Sequence, residues 1–590
     1  MTPRTLDPIT FEVLRSGLEY ACERMGRVLQ RASFSPIIYD MVDFSNGIFD
    51  ADGELVGQAA NCPVHLGAMH YSVRASLERF GADGLHPGDV VILNDPYRGG
   101  THTPDVTMTL PAYAGGELIA FAASRAHWTD LGGGGAGGQA FSTHIAAEGL
   151  RLPPLKLVEA GELNSDLVDI IRNQSRVPQY VDGDINAQLG ALNAGEAELL
   201  RLADRYGHAT LRQVMREVID YTERMTRAAI RRIPDGEYEA EDYADTDGFS
   251  EEPVRLRLKL TVDGDELSVD FAGTDPVADG AINSPEANTV SAVYYSLKFF
   301  LSPDAPANAG MYRPITISIP EGTWLNPSWP APTIGCTVLA APKVCAAVWQ
   351  ALAHAIPDRI IAPTYAEDNW FVASLADPEV KGGHVFSDLP PGGWGGTPFH
   401  DGMNVTEEPN GNCTNLPAET AELLFPIEYE RYELRPDSGG PGRFRGGLGS
   451  VLQVRFDERA ELSMECSRTR AGSPGVGGGR AGPPQRQSKV GRDGRRATIG
   501  GLTEDGRWLN CLLSNHPFAP GEAFLFESTG GGGWGDPLER DPQAVLSDVL
   551  DGYVSAEAAR AEYGVGIDLE RGEIDEEATG ALRATVRAKR

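Results

Sequence analysis

At 590 residues, 41% hydrophobic and 23% charged, the chain has the make-up of a globular protein with about two to four domains. Its formal charge of −33 repels nucleic-acid phosphates and anionic lipid headgroups, so either partner would need a local basic patch. Seven cysteines with no CxxC pair argue against a zinc ribbon or a disulfide scaffold, and no uninterrupted apolar stretch of about 18 residues marks a membrane span.

The N-terminus has no continuous apolar leader core, so a soluble cytoplasmic protein is expected. Asp7-Pro8 reads as a helix N-cap and first position, after which Phe11, Leu14, Leu18, Cys22, Met25 and Leu29 recur at helical spacing. Residues 36–57 set Gly and Asp between apolar pairs and predict short strands and turns. Leu66, Met69, Val73, Leu77 and Phe80 predict a second amphipathic helix. In "DVVILNDPY" an apolar run stops at Asn94-Asp95-Pro96, the pattern of a buried strand ending in a turn. "VTMTL" and "LIAFAAS" predict two more strands, the second leading into "RAHWTDLGGGGAGG". Polar groups therefore collect where strands end, a common place for sites. Residues 161–232 are helical in pattern.

Past Pro234-Asp235-Gly236 the period changes. Val254, Leu256, Leu258, Leu260 and Val262 alternate with Arg255, Arg257, Lys259 and Thr261 ahead of an Asp-Gly turn, which predicts a half-buried β-hairpin. Helices are expected near 286–301 and 341–355, and a Gly/Pro-rich segment at 389–417 leads to "SVLQVRF", "AELSMEC", "RWLNCLLS" and "AFLFES", all strand-like. The reading is a multi-domain α+β protein: a mixed α/β metal-binding domain at 1–235, an α+β middle domain at 236–430, a mostly β domain at 431–540 and a helical acidic tail at 541–590. No solenoid-length repeat is present.

The N-terminal strand ends are rich in metal-compatible side chains. His102 and Asp105 form an H-x-x-D unit ahead of a strand, His127 ends a neighbouring strand, and "SPIIYDMVDFS" offers Asp40 and Asp43. Two imidazoles with carboxylates suit Mn²⁺, Fe²⁺ or Zn²⁺ better than Mg²⁺ or Ca²⁺, which prefer all-oxygen shells. Without a thiolate in the set, a catalytic site is the better functional guess than a closed structural one. The alternative is a polar turn in which Asp105 accepts backbone N–H groups. His65 and His70 lie on the second helix and either line the same pocket or belong to the core. The glycine-rich loops at 132–138, 472–484 and 529–535 lack the Lys-Ser/Thr ending of a P-loop and fit tight turns or close backbone approach to a neighbouring chain. The basic run at 478–496 reads as an arginine-bearing surface loop. Cys62 lies too near His65 in sequence to claim a nucleophilic dyad.

"SPIIYDMVDFSNGIFDADGELVGQA", "CPVHLGAM", "LNDPYRGGTHTPD", "RAHWTDLGG", "EGLRLPPLKL", "DSGGPGRFRGGLGS" and "STGGGGWGDPLERDP" together resemble the hydantoinase B/oxoprolinase family, in order and over nearly the whole chain. The resemblance implies a subunit working beside an ATP-binding hydantoinase A-type partner, in an expected α2β2 heterotetramer, to open cyclic amides such as hydantoins, 5-oxoproline or lactams. Its carboxylase branch acts instead on ketones such as acetone and acetophenone. It further implies a divalent transition metal (Mn, Zn or Fe) held by Asp40, His102, Asp105 and His127, with Asp40 standing where the family usually has glutamate. His127-Trp128 replaces what is often a pair of histidines. ATP on the partner would activate the amide carbonyl, and metal-bound water on this chain would attack it. His65, His70 and Asp130 are the candidate proton carriers. The rival readings are a ketone carboxylase subunit and a non-catalytic scaffold for the ATPase.

Overall fold

The computed structural model describes residues 7–59, 61–137, 141–377 and 383–589. Helix α1 (Pro8–Ala32) begins as predicted: the Asp7 carboxylate accepts the Thr10 N–H at 3.0 Å, and Leu14, Leu18, Cys22, Met25 and Leu29 are buried along one face. The short helix α2 (Pro36–Tyr39) leads to a hairpin of β1 (Phe44–Asp50) and β2 (Leu55–Gln58), followed by α3 (Pro63–Phe80). Strands β3 (Val90–Leu93), β4 (Asp105–Ala114), β5 (Glu117–His127), β6 (Leu155–Glu159) and β7 (Glu162–Leu163) complete a seven-stranded sheet in the order β2-β1-β5-β4-β3-β6-β7.

Helices α4 (Ser165–Gln174), α5 (Pro178–Tyr206) and α6 (His208–Ile230) follow. The central strands are buried along nearly their whole length because helices cover both faces. From β5, Ala122 faces Gly195 of α5, where an added Cβ would lie 3.2 Å away, while Arg125 turns the other way to donate to Ser72 Oγ of α3 at 2.8 Å.

The second sheet, ordered β11-β10-β9-β8, is built from β8 (Gly236–Ala244), β9 (Val254–Asp263), β10 (Glu266–Asp270) and β11 (Ile315–Ser318), with α7 (Glu286–Leu301), α8 (Ala309–Tyr312) and α9 (Ala340–Ala355) beside it. The predicted hairpin is present in β9 and β10: Leu256, Leu258 and Leu260 are fully buried, while Arg257 and Lys259 pair across to Glu239 and Glu237. Among the described residues, Ile334–Ala355 is the one stretch long and apolar enough to span a membrane. It is 89% buried inside the protein, and its Lys343 is paired with Glu367.

The remaining strands are β12 (Trp370–Leu375), β13 (His384–Asp388), β14 (Ile427–Leu434), β15 (Ser450–Phe456), β16 (Ala460–Glu465), β17 (Arg486–Val490), β18 (Arg496–Leu502), β19 (Trp508–Leu509), β20 (Leu513–Phe518) and β21 (Ala523–Glu527), with α10 (Ala418–Leu424) ahead of β14. They form two sheets, β13-β12-β16-β20 and β14-β15-β21-β17-β18-β19, the first of which joins strands from both sides of residue 430. The run "RWLNCLLS" divides between the two sheets. Asn510 breaks it: its side-chain Oδ1 accepts the Leu512 N–H at 3.0 Å and its Nδ2 donates to Gly248 O at 2.8 Å. The C-terminal part holds α11 (Pro542–Leu550), α12 (Ala556–Glu562), a hairpin of β22 (Gly566–Asp568) and β23 (Glu573–Asp575), and α13 (Glu576–Lys589) around a small core of Val545, Val554, Ala559, Tyr563 and Val565.

Two of the glycine-rich loops close on this chain's own backbone. Gly531 N–H donates to Gly447 O at 3.1 Å, Gly440 N–H donates to Gly531 O at 2.9 Å, and a Cβ on Gly531 would stand 2.2 Å from the Trp394 carbonyl. Gly531→Ala is expected to lower stability by about 1–3 kcal/mol, read as a shifted denaturant midpoint at unchanged slope. The third loop holds Gly132 and Gly133 at positive φ; its residue 138 lies outside the described residues. In the basic run, Arg480 pairs with Glu562 and Arg496 with Glu527.

Candidate metal centre

The seven-stranded sheet brings the candidate ligands together by register. Asp105 opens β4 and His127 closes β5, and the two are direct cross-strand partners. On the other side of β5, Phe44 pairs with Ala126, and the His127 N–H donates to Asp43 O at 3.1 Å. Asp43, His127 and Asp105 therefore stand side by side at one end of three adjacent strands. A turn closed by the Asp105 N–H on His102 O at 3.2 Å adds His102, and the first turn of α3 adds His65.

The loop from 94 to 105 is built to hold this position. Asn94 accepts the Leu152 N–H at 2.6 Å and donates to Leu150 O and Thr103 O at 2.9 and 2.5 Å. Gly99 has φ +96°, and a Cβ on Gly100 would meet Asn94 O at 2.6 Å, so both glycines are required where the chain doubles back. Asp95 caps the turn by accepting the Tyr97 N–H at 3.1 Å. His102 Nδ1 donates to Ile334 O at 2.9 Å, which leaves Nε2 as its free donor atom. The Ile334 and Thr333 N–H groups in turn reach Glu148 Oε1 at 2.9 and 2.8 Å.

The donors face one centre. From Asp105 Oδ1, His102 Nε2 lies at 3.1 Å, His65 Nε2 at 3.3 Å and His127 Nδ1 at 3.6 Å; Asp43 lies 3.6 Å from His127 Nδ1 and 3.7 Å from His65 Nε2. Most of these are too long for hydrogen bonds. They match the edges of a coordination shell, since bonds of about 2.1 Å place tetrahedral neighbours about 3.4 Å apart and octahedral ones about 3.0 Å apart. Asp105 Oδ1 is buried with no hydrogen-bond partner among the described residues, while Oδ2 accepts the Thr101 hydroxyl. The cavity here measures about 30 Å³ and is also lined by Cys62, Asp368, Trp370, Asn410 and Cys413. That is room for an ion with one water.

Burial opposes charge throughout the site. It pushes Asp43 well above the usual carboxylate range and His127 down to about 4. Burial also acts to raise Asp105, but His102 and His65 overcome it and hold that carboxyl well below its ordinary value. Both histidines are raised in return against their own desolvation. Burial likewise acts to raise Cys62, yet its contacts with Cys413 and His65 bring the thiol to about 5. Two carboxylates and three imidazoles around so small a space need protons or a cation between them, and the unpartnered Asp105 oxygen and the ligand-like spacing fit a divalent cation.

Of the residues expected from sequence, His102, Asp105 and His127 converge, and His65 lines the same cavity. Asp40 does not join them. It caps the end of α2, its carbonyl accepts the Thr414 hydroxyl, and Asp43 stands by the histidines instead, past Val42 at φ +60°. A β-branched residue in the left-handed region is a strained outlier, and it reverses the chain just before the ligand. His70 sits lower on α3 against Tyr71 and Tyr312, burial driving it to about 4, and does not line the cavity. Asp130 is engaged by Arg176, through its backbone N–H at 2.5 Å and its guanidinium at 2.7 Å. Sequence reasoning missed Asp368, Asn410 and Cys413, which arrive from more than two hundred residues away. Asn410 Nδ2 donates to Asp368 Oδ2 at 3.1 Å, and Asp368 is in hydrogen-bonding contact with Glu407.

A profile described as Hydantoinase B/oxoprolinase matches residues 7–537. The chain is 34% identical over 602 residues to a protein of Pseudomonas sp. (strain NS671) named as one component of a putative D-/L-hydantoinase, covering 98% of each. Its structure is similar to the crystal structure of an ATP-dependent caprolactamase from Pseudomonas jessenii, with a TM-score of 0.90 and 33% identity over 98% of this chain and 100% of that one. It is also similar to a nucleotide-free acetone carboxylase, TM-score 0.91 over 99% of this chain and 83% of that one; at 20% identity this likeness speaks for the fold alone.

Proposed function

The chain belongs to the hydantoinase B/oxoprolinase family, and from that premise we propose that it is the metal-bearing subunit of an ATP-dependent cyclic amide hydrolase. The observation that carries this reading is the convergence of Asp43, His102, Asp105 and His127 at ligand-like spacing, in a chain that aligns end to end with proteins named for hydantoin and caprolactam. Those four side chains would hold Mn²⁺, Zn²⁺ or Fe²⁺. When bound, the ion supplies a Lewis acid that lowers the pKa of water.

The other residues handle position and protons. The Ile334 carbonyl fixes the His102 tautomer, and Glu148 fixes the Ile334 backbone. His65 stands 3.3 Å from Asp105 Oδ1 on the cavity wall, and its raised pKa makes it a proton carrier there. Asp368 is raised by burial to about 6 and touches Glu407, which burial and Asp368 raise further. Both carboxyls are shifted toward the protonated form, and the pair can deliver a proton to the departing amide nitrogen. An amide leaves poorly without prior activation, which is the task of ATP on a hydantoinase A-type partner, the two subunits assembling as α2β2.

Glu148→Ala is expected to lower divalent-metal affinity about 10–100-fold with the circular dichroism spectrum unchanged, measured by competition against a chromophoric chelator. The function itself is tested by reconstituting the complex and supplying ATP with hydantoin or lactam substrates, or with ketone and bicarbonate. Ring opening coupled to ATP consumption, independent of bicarbonate, is the expected result. Bicarbonate-dependent ATP turnover on ketones would overturn it in favour of the carboxylase branch, and ring opening by this chain without ATP would make it a self-sufficient metallohydrolase.

A further inference from the structure

Asn410 and Asp368 line the cavity together with the metal ligands, and Asn410 is held from both ends. Its backbone carbonyl accepts the Val64 N–H at 3.0 Å and the Cys62 thiol at 3.2 Å. Its side-chain Nδ2 uses both protons, one on Thr337 O at 3.0 Å and one on Asp368 Oδ2 at 3.1 Å. Thr337 O is a carbonyl and can only accept, so the amide cannot be turned round to exchange its oxygen and nitrogen.

That leaves the amide oxygen. Asn410 is 1% exposed, and its Oδ1 is buried with no hydrogen-bond partner among the described residues. Buried amide oxygens are nearly always paired, and an exception on the wall of a reaction centre calls for a donor that arrives with the ligand. The neighbour at Nδ2 says which donor. Asp368 Oδ1 is likewise buried without a partner among the described residues, and Asp368 is the group placed to protonate the departing nitrogen. A cyclic amide carries its C=O and N–H on one edge of the ring. With the C=O turned to the metal ligands, the N–H falls to the acceptor beside Asp368. Asn410 then holds the proton already on nitrogen, and Asp368 supplies the second one that the leaving amine needs. Activation of the carbonyl makes that N–H more acidic, and an acceptor aimed at it opposes its loss. Only this edge has to enter the small cavity. Asp43 and Cys413, the partly exposed members of the lining, mark its mouth, where Ile37, Val338, Leu389 and Trp370 offer carbon to the rest of the ring.

We propose that Asn410 is the specificity-determining acceptor for the ring N–H of the substrate, so that the site selects rings with a hydrogen on nitrogen over rings with oxygen in that place. The proposal rests on the cyclic amide reading above and adds which atom of the ring is recognised and by what. A lactone would set its ring oxygen against the Asn410 carbonyl, two acceptors with no proton between them.

The test uses the full metal-loaded chain and two probes of one shape, 2-pyrrolidinone and γ-butyrolactone, which differ in N–H against ring oxygen. Dissociation constants come from ligand-observed NMR titration, without ATP or turnover. The lactam is expected to bind at least about tenfold more tightly than the lactone. Asn410→Ala is expected to bring the two within about twofold by weakening the lactam alone, with metal content unchanged. A merely structural role would weaken both probes alike and keep their ratio. If the alanine variant does not fold, Asn410→Leu, close to asparagine in shape, makes the same comparison. Equal affinity in the parent chain, no measurable binding of the lactam, or a ratio that survives loss of the Asn410 amide overturns the proposal. Ring opening with ATP is followed separately in the reconstituted complex. Lactams opened by a chain that binds both probes equally leave the hydrolase reading standing without this acceptor. A ratio that depends on Asn410 in a complex that never opens a lactam keeps the acceptor and removes the hydrolase reading.

Discussion

Replacing His102 with alanine is expected to lower turnover of the reconstituted complex by at least about 10²–10³-fold, the cost of losing one preorganised electrostatic group, and to lower the divalent metal found by elemental analysis of the purified chain. His102 presents Nε2 alone, because Nδ1 is tied to the Ile334 carbonyl, so no second nitrogen of the same ring can substitute. Asp43→Ala is expected to follow His102→Ala in both readouts. Asp40→Ala is expected to stay within about twofold of the parent, the ordinary scatter for a residue away from the site. That contrast is decisive for the ligand set, since Asp40 and Asp43 lie in one short segment on either side of Val42, and Asp43 is the one beside the histidines. If His102→Ala and His127→Ala together leave assembly and turnover intact, the chain is a scaffold for its partner and not a metal enzyme.

How much of this centre can be read from sequence depends on what brings each ligand in. His102, Asp105 and His127 are legible because each is fixed locally: an apolar strand starts at Asp105 and another stops at His127, adjacent antiparallel strands align those ends, and the turn just before Asp105 sets His102. Asp43 is only half legible. The segment shows two aspartates, and similarity to a family favours Asp40, but the choice is made by one strained backbone angle at Val42 that no periodicity announces. Asp368, Asn410 and Cys413 leave no local trace. They sit in irregular segments, and their place is set by tertiary contacts such as Val64 N–H to Asn410 O. The same split holds for the fold. Helix α1 and the β9–β10 hairpin follow from spacing. The division of "RWLNCLLS" between two sheets hangs on the hydrogen bonds of Asn510, and the β22–β23 hairpin lies inside a stretch whose composition is helical.

Lys343→Met is expected to destabilise the chain by about 3–5 kcal/mol, because breaking a buried ion pair leaves its partner uncompensated. Lys343 and Glu367 are both fully buried and in direct contact. Burial already raises Glu367 to about 7 from 4.5, with Lys343 partly offsetting it. A raised acid contributes stability that is in place below about pH 4.5 and is lost as pH rises through 7. Removing the ammonium moves that upper edge higher and deepens the loss, so the deficit of Lys343→Met in denaturant melts should be larger at pH 8 than at pH 5. Lys343→Met combined with Glu367→Gln is expected to recover most of it. The pair also bears on the site, for Glu367 is followed in the chain by Asp368, whose own N–H is held by Val338 O at 2.9 Å. The single variant should therefore lose turnover at temperatures where it is still folded, and the double variant should regain it together with stability. Recovery of stability without turnover would mean that the charge on Glu367, and not only its packing, sets the behaviour of the neighbouring carboxyl.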